Sequence, residues 1–395
     1  MTNDPIVIVG AARTPMAGFQ GDFASLAASD LGAVAIKAAV LRAGIRPADV
    51  DKTIFGCVLP AGQGQAPARQ ASLKAGLPLS TGCTTVNKMC GSAMEATILA
   101  HDALVAQSAD VIVAGGMESM SNAPYLLPKA RAGYRMGHQT VSDHMFQDGL
   151  EDAYEKGRLM GTFAEECATS FAFTRAAQDE FALSSLSRAL AANRDGTFAW
   201  EIAPVTVSGR QGDVVVDHDE QPAKASPEKI PGLKPAFRKD GTVTAANSSS
   251  ISDGAAALVL MRRSTAEARG LKPLAIIVAH ATHAQEPGKF TTAPVGAIEK
   301  LYKKTGWTTR DVDLFEINEA FAVVTMAAMK EHGIPRERVN VHGGACALGH
   351  PIGASGARIV VTLLGALRKQ GKTRGVAALC IGGGEATALA IERVA

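Results

Sequence analysis

The sequence lacks the cysteine spacing of a disulfide scaffold or a zinc site. Six cysteines are spread along 395 residues, and no two of them are separated by two residues. No His-x-x-x-His or His-Glu-x-x-His string occurs either. Because small disulfide-rich domains and zinc sites depend on such spacings, we expect reduced thiols and no metal site.

An excess of charge of one sign is also absent. Forty Lys and Arg residues are balanced by 38 Asp and Glu residues, which leaves a formal net charge of +2. Such a chain offers no large basic field to a polyanion, so nucleic acid is not an expected partner.

Long apolar runs and targeting signals are missing. No uninterrupted apolar stretch approaches the roughly 20 residues that span a bilayer. Residues 1–5 contain no basic segment followed by an apolar one, and residues 392–395 are not a peroxisomal address of the Ser-Lys-Leu type. We therefore predict a cytoplasmic protein without a membrane partner.

Aromatic residues are few, with 2 Trp, 4 Tyr and 13 Phe, whereas glycine is abundant, with 40 residues. This composition favours close backbone packing and tight turns over bulky core side chains, which suits an α/β fold. Hydrophobic residues make up 47% of the chain. At roughly 100–200 residues per domain, the length predicts two or three domains.

Three segments of the first part of the chain recur, in the same order, in the last part. The pairs are residues 32–51 with 296–313, residues 90–93 with 354–357, and residues 111–116 with 377–383. Ordered repeats of this kind indicate a duplicated fold, in which each half has a sheet covered by helices. The alternative is chance similarity among segments rich in glycine and alanine.

The chain between the repeats is punctuated by proline and glycine and is predicted to be an insertion. We expect a helix over 178–193 and a hairpin of 205–207 with 214–216. The predicted units are residues 1–119 together with 249–270, an inserted loop domain over 120–248, and a second half over 271–395. Basic residues between 224 and 239 form either a solvated face or a contact for a phosphate-bearing ligand.

Cys90 lies where a strand-like run meets a helical pattern. A helix N-terminus presents free N–H groups and positive potential, which stabilise a thiolate and are expected to lower the thiol pKa. The position therefore suits a nucleophile. The alternative is a small buried hydrophobe, which is a common place for a free cysteine.

His350 lies in a segment, residues 342–356, that contains six glycines. Glycines permit close backbone approach, and Pro351 biases the preceding histidine away from helix. No Gly-Lys-Ser/Thr follows, so the segment is not a phosphate loop of the Walker type. His342 is the competing candidate for a catalytic histidine.

Two further residues have both a structural and a catalytic interpretation. Cys380 ends an apolar run just before three glycines, so it is either ordinary core or a thiol at the rim of a site. Asn318 precedes a helical pattern, so it either caps that helix or holds a catalytic water.

Taken together, these segments resemble the thiolase family, and the similarity runs essentially from end to end. The motifs that carry the resemblance are residues 13–15 (RTP), 87–92 (NKMCGS), 115–120 (GGMESM), 247–257, 318–321 (NEAF), 349–353 (GHPIG) and 380–382 (CIG). The family fold implies two duplicated α/β halves, layered α-β-α-β-α, with an inserted loop domain.

The resemblance also implies a catalytic set. Cys90 would be the acyl-accepting nucleophile, His350 would activate it, and Cys380 would move the proton at the α-carbon of the second thioester. The enolate oxygen would face His350 and a water held by Asn318, and the acyl-enzyme oxygen would face the N–H groups of Cys90 and Gly382. A covalent acyl-enzyme separates acyl activation from carbon attack, which is why a nucleophile and a base are both needed.

Coenzyme A would bind as substrate and product, with no separate cofactor. The resemblance places Leu150, Met160, Ala245 and Ser249 along the pantetheine, and the basic Lys224 near the nucleotide. Phe290 stands beside the acyl pocket, where short-chain members commonly carry methionine. Leu159 replaces a histidine of many short-chain members, so the affinity for coenzyme A is expected to differ.

The predicted activity is that of an acetyl-CoA C-acetyltransferase, which reversibly condenses two acetyl-CoA into acetoacetyl-CoA. The alternatives are a degradative 3-ketoacyl-CoA thiolase of broader chain length, a ketoacyl synthase, and a non-catalytic lipid or thioester carrier. Cys380 argues against the synthase, since those enzymes lack a second catalytic cysteine. Residues 121–136 resemble the tetramer-forming loop of the family, so we expect a homotetramer, a dimer of dimers, with acyl-CoA as the small-molecule partner.

Overall fold

The computed structural model describes residues 4–210 and 212–394. Its strands are β1 (Ile6–Arg13), β2 (Ala17–Gly18), β3 (Lys52–Gly56), β4 (Gly82–Val86), β5 (Val111–Ser119), β6 (Tyr125–Leu126), β7 (Ser142–Asp143), β8 (Val205–Gly209), β9 (Gly212–Val216), β10 (Ser252–Arg262), β11 (Ala275–Ala284), β12 (Leu314–Ile317), β13 (Arg374–Ile381) and β14 (Glu385–Arg393).

The helices alternate with these strands. They are α1 (Ala28–Arg42), α2 (Pro67–Lys74), α3 (Ser92–Val105), α4 (Met160–Ser170), α5 (Arg175–Arg194), α6 (Glu220–Lys224), α7 (Arg263–Ala268), α8 (Ala293–Thr305), α9 (Ala322–His332), α10 (Ala345–Leu348) and α11 (Ser355–Gln370).

The main sheet has two halves with the same strand order. The first runs β4-β3-β5-β10-β1, with β4, β3 and β5 parallel and the last two strands antiparallel to their neighbours. The second runs β12-β13-β14-β11 with the same pattern of directions, and Val339 forms a parallel bridge to Phe315 where β4 would have its counterpart. The halves meet at two residue pairs between β1 and β11. The predicted duplication of the α/β fold is confirmed.

One of the three repeat pairings is wrong by three residues. Asp51 accepts the N–H group of Val111, at the start of β5, and Asp313 accepts that of Arg374, at the start of β13. The structural counterpart of Val111 is therefore Arg374, not Ala377. The error arose because both segments are short apolar runs that end in glycine, and such runs fit one another in more than one register.

Helices α3 and α11 form the middle layer between the two halves of the sheet. Their apolar side chains pack against strands of both halves in one core, with Met94 from α3 and Ile359 from α11 among its members. Residues 355–364 are buried without interruption, as expected for a helix enclosed on all sides. Helices α1 and α2 cover the outer face of the first half, and α8 and α9 cover that of the second. The result is the expected α-β-α-β-α layering.

The segment between β5 and β10 contains the predicted helix, within α5, and the predicted hairpin, as β8 and β9. Arg13 of β1 joins this segment to the first half, because its guanidinium donates to the buried carboxylates of Glu201 and Asp219. Among the helices of residues 4–210 and 212–394, none has the length and hydropathy of a transmembrane span.

Candidate active site

The predicted catalytic residues meet at one cavity of about 390 Å³. Cys90, His350, Cys380 and Gly382 line it, although the two cysteines are 290 residues apart in the sequence. Asn318 lies behind the wall, where its Nδ2 is 3.4 Å from His350 Nδ1. Groups from both halves of the fold therefore share one small volume.

Cys90 lies at the junction that the sequence indicated, immediately before α3. Met89, the residue before it, has a φ of 48°, in the left-handed region that is costly for a side chain. Burial raises the pKa of the Cys90 thiol to about 11, and it outweighs the lowering by the nearby backbone N–H groups of Gly382 and of Cys90 itself. The expected lowering of the pKa is therefore wrong for the free protein. To act as a nucleophile near neutral pH, the Cys90 thiol would have to give its proton to a base.

His350 is held with one ring nitrogen free. Its Nδ1 is 2.6 Å from Ser355 Oγ, and this hydroxyl donates to the carbonyl of Pro351 at 2.9 Å. Since the hydroxyl proton is used there, the contact is satisfied by an Nδ1–H group that donates to Oγ. Nε2 is then an acceptor, and it is buried without a hydrogen-bond partner among the described residues.

The charge state of His350 follows from its surroundings. Burial, together with the nearby guanidinium of Arg358, lowers the pKa of His350 to about 3. The imidazole is therefore neutral in the free protein near neutral pH. A neutral ring with a free Nε2 is suited to take a proton from a thiol.

Asn318 is not the cap of the helix that follows it. Helix α9 begins at Ala322 and its N-cap position is Phe321, so the capping interpretation is wrong. Asn318 instead follows β12, and its Oδ1 lies 3.3 Å from Arg358 Nη2. This contact from a fully buried arginine fixes the amide with Nδ2 toward His350.

Cys380 is the second-last residue of β13 and is 1% exposed. It belongs to an apolar cluster with Phe290 and Phe321, and it also lines the cavity. Burial, and then the neighbouring sulfur of Cys90, raise the pKa of Cys380 well above the usual range. Both sulfurs are therefore thiols at neutral pH in the free protein, close enough to affect each other's ionisation.

The predicted ligand-binding residues divide between two cavities. Leu150, Met160, Ala245, Ser249 and Phe290 all line the catalytic cavity. Its wall also contains three aromatic rings that the sequence analysis did not single out: Phe146, Phe237 and Phe321. The wall is mostly apolar, which suits an alkyl chain or a flexible arm.

Lys224 lies elsewhere, in an adjoining cavity of about 290 Å³ that shares Ala245 and Ser250 with the first. Its ammonium group pairs with Glu220, and Lys229 lines the same cavity. His342, the competing histidine, lines neither cavity; its ring packs edge-on against Phe198.

Sequence reasoning did not identify three residues that hold the site. Ser355 and Arg358, on α11, fix His350 and Asn318 as described above. Glu118, at the end of β5, accepts the N–H groups of Val58, Leu59 and Gly353 at 3.0, 3.1 and 2.8 Å. Glu118 lies in one of the quoted motifs, and a carboxyl group inside a strand that is otherwise apolar is the signal that could have found it.

Burial raises the pKa of Glu118 to about 7, against the lowering by its three N–H donors. The carboxylate joins the loop after β3, in the first half, to the His350 loop, in the second. Glu118 therefore ties the loop after β3 to the loop that carries His350 and Ile352 into the wall of the cavity.

Comparisons with known proteins agree with this geometry. Acetyl-CoA acetyltransferase 2 of Arabidopsis thaliana is 52% identical over 98% of this chain and 96% of its own length. Acetyl-CoA acetyltransferase of Schizosaccharomyces pombe is 48% identical over the whole of both chains.

Solved structures are similar over almost the entire chain. The Acat5 thiolase of Ascaris suum, in complex with coenzyme A, gives a TM-score of 0.93 at 44% identity and covers 99% of this chain and 100% of its own. The acetyl-CoA acetyltransferase of Bacillus anthracis gives 0.96 at 40% identity, with 99% of each chain covered. The family models for the thiolase N-terminal and C-terminal domains match residues 6–264 and 271–393, and the chain belongs to the thiolase family.

Proposed function

We propose that the protein is an acetyl-CoA C-acetyltransferase, an acyltransferase that reversibly condenses two acetyl-CoA into acetoacetyl-CoA and coenzyme A. The observation that carries the proposal is the convergence of two thiols, one free imidazole nitrogen and the N–H group of Gly382 on a single apolar cavity. The names of the relatives support the same activity.

In the first half-reaction, Cys90 takes the acetyl group. Nε2 of His350 accepts the proton of the Cys90 thiol while the sulfur attacks the thioester carbonyl. The N–H groups of Cys90 and Gly382 stabilise the oxyanion, a contribution of roughly 3–4 kcal/mol for each such donor. The C–S bond to coenzyme A then breaks, and the leaving thiolate takes the proton of Cys380.

The second half-reaction uses the groups that the first has charged. The Cys380 thiolate removes a proton from the methyl group of the second acetyl-CoA. The enolate oxygen is stabilised by the proton on His350 Nε2 and by a water held by Asn318. The carbanion attacks the acetyl carbon on Cys90, the C–S bond breaks, and the departing Cys90 sulfur regains its proton from His350.

Coenzyme A binding is proposed to use both cavities. The pantetheine would lie along Leu150, Met160, Ala245 and Ser249, with the acyl group beside Phe290. The phosphates would lie in the adjoining cavity near Lys224. The coenzyme A complex of the similar Ascaris thiolase supports the ligand class.

We further propose that the protein is a homotetramer that assembles through residues 121–136. In this segment Tyr125 is 68%, Leu127 57% and Met136 91% exposed, and a patch of exposed apolar side chains is typical of an interaction site. The division into residues 1–119 with 249–270, residues 120–248 and residues 271–395 remains part of the proposal. The cytoplasmic location stays a prediction.

The test compares coenzyme A-dependent cleavage of acetoacetyl-CoA and 3-ketooctanoyl-CoA. We expect the wild type to prefer acetoacetyl-CoA, and Cys90→Ala and Cys380→Ala each to lose at least about 10³-fold in kcat. Cys83→Ala, on the strand beside Cys90 but outside both cavities, is the matched control and should retain activity.

Faster cleavage of the longer substrate would assign the protein to the degradative branch. No cleavage of either substrate by folded wild type would reject the thiolase activity and favour the carrier. Full activity of Cys380→Ala would remove the second cysteine from the mechanism.

A further inference from the structure

A group of potential metal ligands lies where α3 crosses β11. His101 and Asp102 are consecutive residues of α3, and His280 belongs to β11. His101 Nδ1 is 2.9 Å and His280 Nε2 is 3.0 Å from the same oxygen, Asp102 Oδ1. The three ligand atoms all lie within 4.8 Å of one another.

The two rings are held in place by their surroundings. They pack edge to face, with centroids 4.9 Å apart, and their side chains are only 19% and 18% exposed. The carbonyl of His280 accepts a hydrogen bond from Lys304 Nζ at 2.8 Å, which fixes the strand at that point. The Asp102 side chain is 57% exposed, so an ion could enter from solvent on that side.

We propose that His101 Nδ1, His280 Nε2 and the Asp102 carboxylate bind a divalent zinc-type ion, with the fourth position open to water. Two imidazole nitrogens and one carboxylate oxygen are a known ligand set for such ions, whereas Mg²⁺ and Ca²⁺ prefer oxygen alone. Bonds of about 2.0–2.1 Å to a tetrahedral ion separate ligand atoms by roughly 3.3 Å. The distances from His101 Nδ1 and His280 Nε2 to Asp102 Oδ1, 2.9 and 3.0 Å, are close to that value.

The site is separate from the proposed reaction. None of the three ligands lines the catalytic cavity or the adjoining one. The ion would instead join α3 of the first half to β11 of the second. Because it would bind only the folded protein, it would stabilise the folded state. The absence of a metal site, expected from the sequence, rested on local strings, whereas His280 is 178 residues from Asp102.

The test titrates the full-length, metal-free protein with Co²⁺, which substitutes for zinc and has visible absorption bands. We expect one Co²⁺ per chain with d–d bands but no thiolate-to-cobalt charge-transfer band, because the ligands are nitrogen and oxygen. Asp102→Asn and His280→Ala should each weaken binding at least about tenfold. Asp102→Asn is nearly isosteric at a mostly exposed side chain, so it keeps the result interpretable if His280→Ala fails to fold.

The matched control is His218→Ala. His218 also contacts a neighbouring aspartate, Asp217 Oδ1 at 2.7 Å, but has no second histidine beside it. Its removal should leave Co²⁺ binding unchanged. Equal affinity in wild type and Asp102→Asn would overturn the proposal, as would a spectrum dominated by thiolate charge transfer, which would place the ion at the cysteines.

Discussion

The two halves of the fold begin alike and end differently. In each half an aspartate just before the first parallel strand accepts two N–H groups, one from the first residue of the neighbouring strand and one from the residue before it. Asp51 does so for β5 and Asp313 for β13, at 2.8–3.0 Å in all four contacts. At these positions duplication has preserved a contact that sets the register of the sheet.

The halves differ at the edge of the sheet, where the first half has the strand β4 and the described part of the second half has none. The first half has β4, and the chain passes directly from it to Cys90 and α3. The second half keeps only the bridge between Phe315 and Val339, and a glycine-rich loop carries the chain to His350 before α11. A short strand-to-helix junction fixes the Cys90 thiol and its N–H group, whereas a loop can bring an imidazole from the other half to the same cavity.

Strands β5 and β13, which occupy equivalent positions in the two halves, also end differently. In the sheet register, Cys380 on β13 corresponds to Met117 on β5, and the next residue in the first half is Glu118. The second half thus places a thiol in the cavity, whereas the first half places a carboxylate behind it. Glu118 of the first half holds Gly353 of the second. Each half therefore supplies a thiol to the cavity, and the first half also supports the His350 loop of the second.

Removing the support of His350 within its own half should have the largest effect among these supporting contacts. In Ser355→Ala the Nδ1–H group loses its acceptor, so the ring can rotate and Nε2 is no longer directed to the cavity. We expect kcat for acetoacetyl-CoA cleavage to fall about 10- to 100-fold, with a smaller change in KM.

Ser185→Ala is the control for that variant. It removes another buried hydroxyl, which donates to Glu319 at 2.7 Å, without touching His350. Its kcat should change much less than that of Ser355→Ala. Equal losses in the two variants would mean that the effect is a general loss of packing.

Removing the Glu118 carboxylate, which links the two halves, should have a smaller effect on kcat and should also change the pKa of Cys90. In Glu118→Gln one side-chain N–H group faces a backbone N–H group, so the link between the loop after β3 and the His350 loop is weakened. We expect kcat to fall about tenfold. The charge of Glu118 also raises the pKa of Cys90. Its loss should therefore lower that pKa, so that alkylation of Cys90 becomes faster at a given pH.

The pH dependence of the rate of Cys90 alkylation, called here the Cys90 profile, separates the effect of the Glu118 charge from simple destabilisation. Glu165→Gln is the control, since Glu165 is also buried and accepts the backbone N–H groups of Thr242 and Val243, in the inserted segment. It should leave the Cys90 profile unchanged. If Glu118→Gln did not shift the Cys90 profile, the charge of Glu118 would have no effect on the ionisation of the Cys90 thiol.

The sequence predicted the family, the duplicated fold and the residues that line the cavity, because these depend on local strings such as NKMCGS and GHPIG. The supports of the site were not predicted. The contact of Glu118 with Gly353 joins residues 235 apart, and no local pattern encodes it. The pKa of Cys90 was predicted with the wrong sign, since position at a helix N-terminus is visible in the sequence but burial is not. The roles of the catalytic residues stay predictions until the variants are measured.

The smallest expected effect is a loss of stability on changing Asp51 or Asp313, the aspartates whose contacts are the same in the two halves. Asp51→Asn and Asp313→Asn each weaken two charge-assisted hydrogen bonds, and we expect each to cost about 0.5–1 kcal/mol, a fall in Tm of roughly 1 °C for a chain of this length. The two changes should add in the double variant, because the sites share no partners. Asp217→Asn, at an exposed His–Asp pair, should leave Tm unchanged. A large loss in one half with none in the other would mean that the halves share the geometry of this contact but not its contribution to stability.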